Sequence, residues 1–139
     1  VISIEPAVVS RVEPMISEIF DQQFQATGLA QPRKAAGFIA FGVYDKGQLV
    51  GGLIARHRYD HLKITELAVK PAYQGQRLGT QLIQTAEAFG RQHHVVTITL
   101  GTRSYQAADF YRKCGYQVYG EIVDLPMRGV TTYYFVKRL

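Results

Sequence analysis

Seven residues, Gln74-Gly75-Gln76-Arg77-Leu78-Gly79-Thr80, set two glycines and an arginine at the head of an apolar series, Leu78, Leu82, Ile83, Ala86 and Phe89, that falls at helical spacing. Ahead of them Ile64 to Val69 is a strand-like apolar run closed by Lys70-Pro71, and proline ends strands because it cannot donate to the ladder. Strand, turn and helix in direct succession place the glycines at a helix N-terminus, where unsatisfied N–H groups and the helix dipole attract anions. The chemistry is phosphate binding. The same strand carries Glu66, with Ile64 and Ala68 as same-face neighbours by alternation. A carboxylate buried there is costly unless it is paired or has a task. One such task is general base catalysis, taking up a proton from an attacking group. Pairing with a neighbouring-strand cation, Arg56 or Arg58, carries equal weight.

The phosphate ligand narrows by elimination. A P-loop needs a longer glycine spacing with Lys before Ser/Thr, and a Rossmann fingerprint needs three glycines. Neither pattern is present. Gly75 has no Cβ to hold the backbone away from a ligand, and Gly79 clears the first helical turn; the competing reading makes both simple turn and packing glycines.

The elements that would hold these residues follow from the chain in order. Val1 to Glu5 alternates and stops at Pro6, which predicts a first strand. Val12, Met15, Ile16, Ile19, Phe20 and Phe24 predict a helix with Ser10 as N-cap, Pro14 in the first turn and Gly28 as stop. Ala30 to Gly37 reads as a loop of the kind that shapes a binding face. Phe38 to Tyr44 and Leu49 to Arg58 form a hairpin about Asp45-Lys46-Gly47-Gln48, and Tyr59-Asp60-His61 turns the chain into the Ile64 strand. Beyond the phosphate-site helix come a strand at Val95 to Leu100, a short helix at Gln106 to Lys113 ending at Gly115, and strands at Tyr116 to Val123 and Thr131 to Val136 around a Pro126/Gly129 loop. The fold class is α/β, with a mixed sheet.

Composition bounds the partners. The 139 residues suit one domain, 1–139, with a real core. No apolar run or leader marks a membrane span or a signal peptide, so the expectation is a cytoplasmic protein with no membrane partner. The single cysteine, Cys114, excludes an intramolecular disulfide and leaves metal-ligand spacing unmet, so no metal is expected. A net charge of +5 favours an anionic ligand, and nucleic acid is the weaker candidate because the basic residues are scattered.

Two blocks carry a family resemblance. Gln74 to Gly79 is similar to the acetyl-CoA signature of the GNAT superfamily of N-acyltransferases: Arg or Gln, two residues, Gly, one residue, Gly or Ala. Arg77 stands where the middle glycine is usual. Ala107-Ala108-Asp109-Phe110-Tyr111-Arg112-Lys113-Cys114-Gly115-Tyr116 resembles the family's second block, at the family's spacing, with Ser104 where an asparagine is usual. The resemblance covers Leu49 to Tyr116, and the tail from Gly120 to Leu139 is similar to that of small bacterial members.

The resemblance implies a GNAT fold: a central, mostly antiparallel sheet splayed between the fourth and fifth strands, with helices on both faces. It implies acetyl-CoA as cofactor, its pantetheine in the gap against Leu67, Ala68 and Val69. Its pyrophosphate would lie on Gln74, Gly75, Gln76, Arg77, Leu78, Gly79 and Thr80, with Ser104 and Tyr111 completing the cofactor site. Tyr111 is the implied general acid at the departing thiolate and Glu66 the implied base, although one common family position for an acid falls on Lys63. A free tyrosine at ~10 is ~1.5 units weaker an acid than a thiol, so full transfer is uphill by ~2 kcal/mol and hydrogen bonding accounts for much of the effect. Tyr111 as a mere core tyrosine is the bland alternative. Cys114 reads as packing rather than as an acyl carrier, and His57, His93 and His94 as surface or pairing residues. The activity so implied is direct acetyl transfer to a small-molecule or peptide amine, with a homodimer admitted. The rivals are a non-catalytic acyl-CoA-binding or regulatory module and a basic nucleic-acid-binding domain.

Overall fold

The computed structural model describes residues 1–32 and 35–139. Arg33 and Lys34, within the Ala30–Gly37 segment read as a loop, lie outside the described residues. The chain divides into two compact units, Val1–Pro32 and Arg33–Leu139.

The first unit holds one helix, α1 (Val9–Ala26). Val1 to Glu5 forms no strand, contrary to its alternating pattern, because alternation alone supplies no ladder. The N-cap is Val8 rather than Ser10: the Val8 carbonyl accepts from the N–H groups of both Arg11 and Val12, so the helix begins two residues early without a side-chain cap. Pro14 consequently lies inside the helix, past its first turn. Its far end matches expectation, with the Thr27 hydroxyl donating to the Phe24 carbonyl at 2.6 Å and Gly28 following.

The second unit is a six-stranded sheet with two helices. Its strands are β1 (Gly37–Asp45), β2 (Gln48–Arg58), β3 (His61–Val69), β4 (Thr97–Arg103), β5 (Gln117–Val123) and β6 (Thr131–Arg138), in spatial order β1-β2-β3-β4-β6-β5. Among the described residues only β3 and β4 pair in parallel, because α2 (Leu78–Gln92) carries the chain back between them. This mixed, mostly antiparallel sheet is the expected fold class. Leu82, Ile83 and Ala86 of α2 fill a core with Leu53, Ala55, Leu62, Ile64, Ile98, Leu100 and Phe135. The short α3 (Ala108–Lys113) adds Tyr111 to it.

Two interactions across the sheet were not legible from local pattern. Glu87 of α2 is 5% exposed, and its Oε2 accepts from the Tyr116 hydroxyl at 2.9 Å and from Lys137 Nζ at 2.9 Å. Lys137 also donates to the Cys114 carbonyl at 3.0 Å, so one polar cluster ties α2, the end of α3 and β6 together. His57, expected as a surface or pairing residue, is a buried pairing residue. Its Nδ1 accepts from the Ala36 N–H at 2.9 Å and its Nε2 lies 3.0 Å from the Tyr59 carbonyl, which assigns the neutral ring with the proton on Nε2. Its role is to close the β2–β3 turn.

Candidate active site

Strands β3 and β4 pair only from His61 to Ile64 against Thr97 to Leu100. Beyond that point Gly51 to Ile54 of β2 keep Glu66 to Val69, β6 keeps Gly101 to Arg103, and the two halves of the sheet part. This is the predicted splay; the strands are the third and fourth here because the N-terminal one does not form. A cavity of about 740 Å³ occupies the opening. Glu66, Leu67 and Ala68 line one wall, Gly101, Thr102 and Arg103 the other, and Tyr111, Gln106 and Pro126 lie around them.

A bulge decides what β3 presents. Ile54 pairs with Glu66 but the next residue, Ala55, pairs with Ile64, so Thr65 is an extra residue whose hydroxyl donates to the Ile54 carbonyl at 3.1 Å. The bulge flips the alternation: Leu62 and Ile64 are buried before it, whereas Glu66 and Ala68 are exposed after it. Glu66 therefore does not share a face with Ile64, as simple alternation required, and it is not a buried carboxylate. Among the described residues it forms no ion pair with Arg56 or Arg58.

Tyr111 hangs from α3 with its ring against Tyr116 (6.3 Å between centroids) and Phe135 (5.8 Å). Among the described residues its hydroxyl takes no hydrogen bond, and the residue lines the cavity. Burial pushes it up to about 12, the charge of a Cys114 thiolate adding to the effect. It is thus a donor that holds its proton. Cys114 is half-buried with its own thiol pushed up, by burial first and then by Glu87, which suits packing and disfavours a nucleophilic thiolate.

The Gln74–Thr80 segment forms the turn after β3. Val69 stands outside the cavity lining, and its carbonyl accepts from Gln74 Nε2 at 3.0 Å, which folds the chain back after the Pro71–Tyr73 3-10 turn. Arg77 caps α2 at φ 62°, in the left-handed region. A glycine costs nothing at such a φ, whereas a side chain costs roughly 1–2 kcal/mol, so the backbone shape survives the substitution at some expense. No side chain caps the helix, so the N–H groups of Leu78, Gly79 and Thr80 are left for a ligand or solvent. Gly75 lies at φ 82° with nothing within 4 Å of where a Cβ would be. Ser104 lies apart from this cavity: its N–H donates to the Thr131 carbonyl at 2.7 Å and its Oγ accepts from the Thr131 N–H at 3.2 Å, beside a smaller pocket of about 310 Å³.

Sequence reasoning passed over Gln106 and Lys63 as site residues. Gln106 Oε1 accepts from the Arg103 N–H at 2.9 Å and from the Thr102 hydroxyl at 3.2 Å, shaping the wall where β4 ends. Its position three residues after Arg103 was the available signal, a turn-closing amide. Lys63, noted only as a position where the family often carries an acid, lines the cavity from β3, and the bulge register is what puts it on the face of Glu66.

The model of the acetyltransferase (GNAT) family matches residues 9–116. The chain belongs to that family. As a GNAT member it is an acetyltransferase, and small relatives resemble it over most of their length. The blasticidin-S acetyltransferase of Streptomyces morookaense is 30% identical over 114 residues, covering 81% of this chain and 83% of that protein. A solved acetyltransferase from Bacillus cereus ATCC 14579 has a TM-score of 0.84 at 27% identity, covering 99% of this chain and 98% of that one. An aminoglycoside 6′-N-acetyltransferase complexed with coenzyme A shares the fold, with a TM-score of 0.68 at 20% identity over 74% of this chain and 73% of that one. Among the described residues no helix is long and apolar enough to cross a membrane, and no cluster of metal-ligating side chains occurs.

Proposed function

We propose that this GNAT acetyltransferase moves an acetyl group from acetyl-CoA to a primary amine of a small molecule by direct attack in a ternary complex. The observation that carries the reading is the cavity in the β3/β4 opening, which brings Glu66 and Tyr111 to one space. The residues fit the cofactor. The uncapped start of α2 offers N–H groups for its phosphates, Gly75 leaves open room beside them, and Leu67 and Ala68 line the gap for its pantetheine. When bound, acetyl-CoA supplies an activated acyl carbon and a thiolate leaving group.

The chain's own residues supply the rest. Glu66, exposed on the cavity wall, accepts the ammonium proton directly or through one water, which frees the nitrogen lone pair for attack. Tyr111 donates a hydrogen bond to the departing sulfur. At about 12 its proton stays in place, since transfer to a thiolate of ordinary basicity (~8.5) would be uphill by ~3.5 units, ~5 kcal/mol. Its contribution is electrostatic, growing as charge develops on sulfur. The half-buried Cys114, with its raised thiol, argues against an acyl-cysteine intermediate. The acceptors named for its relatives, blasticidin S and aminoglycosides, support a small molecule as acceptor.

Thiol release from acetyl-CoA, followed against a panel of amines, tests the reading. Amine-dependent release with the acetylated amine as product is the expected result. A protein that binds CoA yet releases no thiol above hydrolysis with any amine would overturn it.

A further inference from the structure

The bulge at Thr65 sorts the charges of β3 as well as its apolar residues. Lys63 pairs across with Arg56, and Glu66 pairs across with Ile54. Residues directly opposite in a ladder share a face, and Arg56 and Ile54 are two apart on β2, so Lys63 and Glu66 point to the same side. Without the extra residue, positions three apart would point to opposite sides. Both line the cavity, and with Thr65 bulged out their ladder partners are two residues apart, which sets them about 7 Å apart along the strand.

The positive end is unbalanced. Lys63 stands opposite Arg56 in the ladder, but the Arg56 guanidinium lies over the Phe38 ring of β1 at 5.7 Å, which leaves Lys63 as the cation on this wall without a partner among the described residues. Among the described residues no carboxylate pairs with Lys63, Arg56 or Arg58. His61, two residues before Lys63, is held below its ordinary value by burial first and then by Lys63 and Arg58. The cavity lining as a whole carries Lys63 and Arg103 against Glu66 alone. Arg103 is partly engaged, with Nη1 donating to the Tyr105 hydroxyl at 2.7 Å. The cofactor's phosphates do not account for Lys63, which lies about 20 Å along the strand from Val69, where the turn to α2 begins.

We propose that the acceptor is an amine that also carries a carboxylate, its amine directed to Glu66 and its carboxylate to Lys63. This rests on the acetyl-transfer reading above. A carboxylate neutralises the unpaired charge of Lys63 and takes a charge-assisted hydrogen bond from its flexible ammonium. A polycation meets the same charges as repulsion. The cavity is therefore tuned away from the aminoglycoside kind of acceptor, whatever the likeness in fold.

The test is a set of matched acceptors: glycine, alanine, phenylalanine and lysine, each assayed against its α-carboxamide and its decarboxylated amine. The acids should exceed their partners by about 10- to 100-fold in kcat/KM, mostly through KM, and added salt should shrink the margin. Lys63→Arg should keep the preference, Lys63→Ala should remove it, and Lys63→Glu should reverse it in favour of the decarboxylated amines. Should the Lys63 variants fail to fold, the wild-type ratios and their salt dependence decide the matter. Equal rates for acids and carboxamides in the wild type, or an undiminished preference in folded Lys63→Glu, would overturn the proposal and leave acetyl transfer intact. Absence of acetylation with every amine, polycations included, would instead overturn acetyl transfer and this proposal with it.

Discussion

A Cβ added to Gly79 would lie 3.2 Å from Cζ of Phe110, so the first turn of α2 is seated directly on the ring that precedes Tyr111. The glycine therefore serves contact between two helices, beside the role proposed for it at the phosphates. Gly79→Ala should push on Phe110 and weaken CoA binding by roughly 10-fold, and adding Phe110→Leu should recover part of the loss. Calorimetric titration with CoA reads both. If the double variant binds no better than Gly79→Ala, the steric account is wrong.

Glu87 is the hub of the polar cluster that joins α2 to Tyr116, Lys137 and the end of α3. Replacing it with leucine strands a tyrosine hydroxyl and a lysine that is 25% exposed, and should cost about 2–4 kcal/mol. Glu87→Leu with Lys137→Met should be less destabilising than Glu87→Leu alone. The chain has 9 tyrosines and no tryptophan, so tyrosine fluorescence during urea unfolding can follow it.

Glu66→Gln keeps shape and removes the proposed base. Turnover should fall by ~100-fold or more near neutral pH, with recovery in alkali as free amine becomes available. Because Glu66 is exposed and unpaired among the described residues, the urea midpoint should hardly move. Unchanged turnover would remove Glu66 from the chemistry.

Tyr111→Phe should lower turnover by ~10- to 1,000-fold with acetyl-CoA affinity nearly unchanged, and a thioester with a better leaving thiol should shrink the deficit. Stability provides a separate check. The folded value of about 12 lies above the unfolded ~10, so the folded state keeps a proton that the unfolded state loses. The contribution is full below pH ~10 and is lost as pH rises towards 12, at up to ~1.4 kcal/mol per pH unit. Tyr116, also raised, behaves in the same sense. Urea unfolding at pH 9 and at pH 11 should therefore show the parent losing more stability than Tyr111→Phe, whereas equal losses would contradict the raised value that burial of the residue gives the phenol.

The unit from Ile64 to Phe89 was legible in the sequence because everything that makes it is local. Proline ends the strand, glycines turn the chain, and apolar residues at helical spacing need only one sheet to cover them. The same holds for the Asp45–Gln48 hairpin and for the Phe110-Tyr111 pair before Gly115. Together these placed the Gln74–Thr80 turn and the tyrosine in the right order along the chain. What the sequence could not contain was register. The bulge at Thr65 arises from pairing with β2, and one extra residue moved Glu66 off the face of Ile64 and onto that of Lys63. Val1 to Glu5 carried a strand pattern, yet a pattern has no ladder until a neighbour provides one. Glu87 and Lys137 are 50 residues apart, and His57 and Ala36 are 21 apart, so their burial and bonding came only with the packing of the sheet and α2. Local spacing set the chemistry available to this chain, and tertiary pairing decided which of those side chains share a cavity.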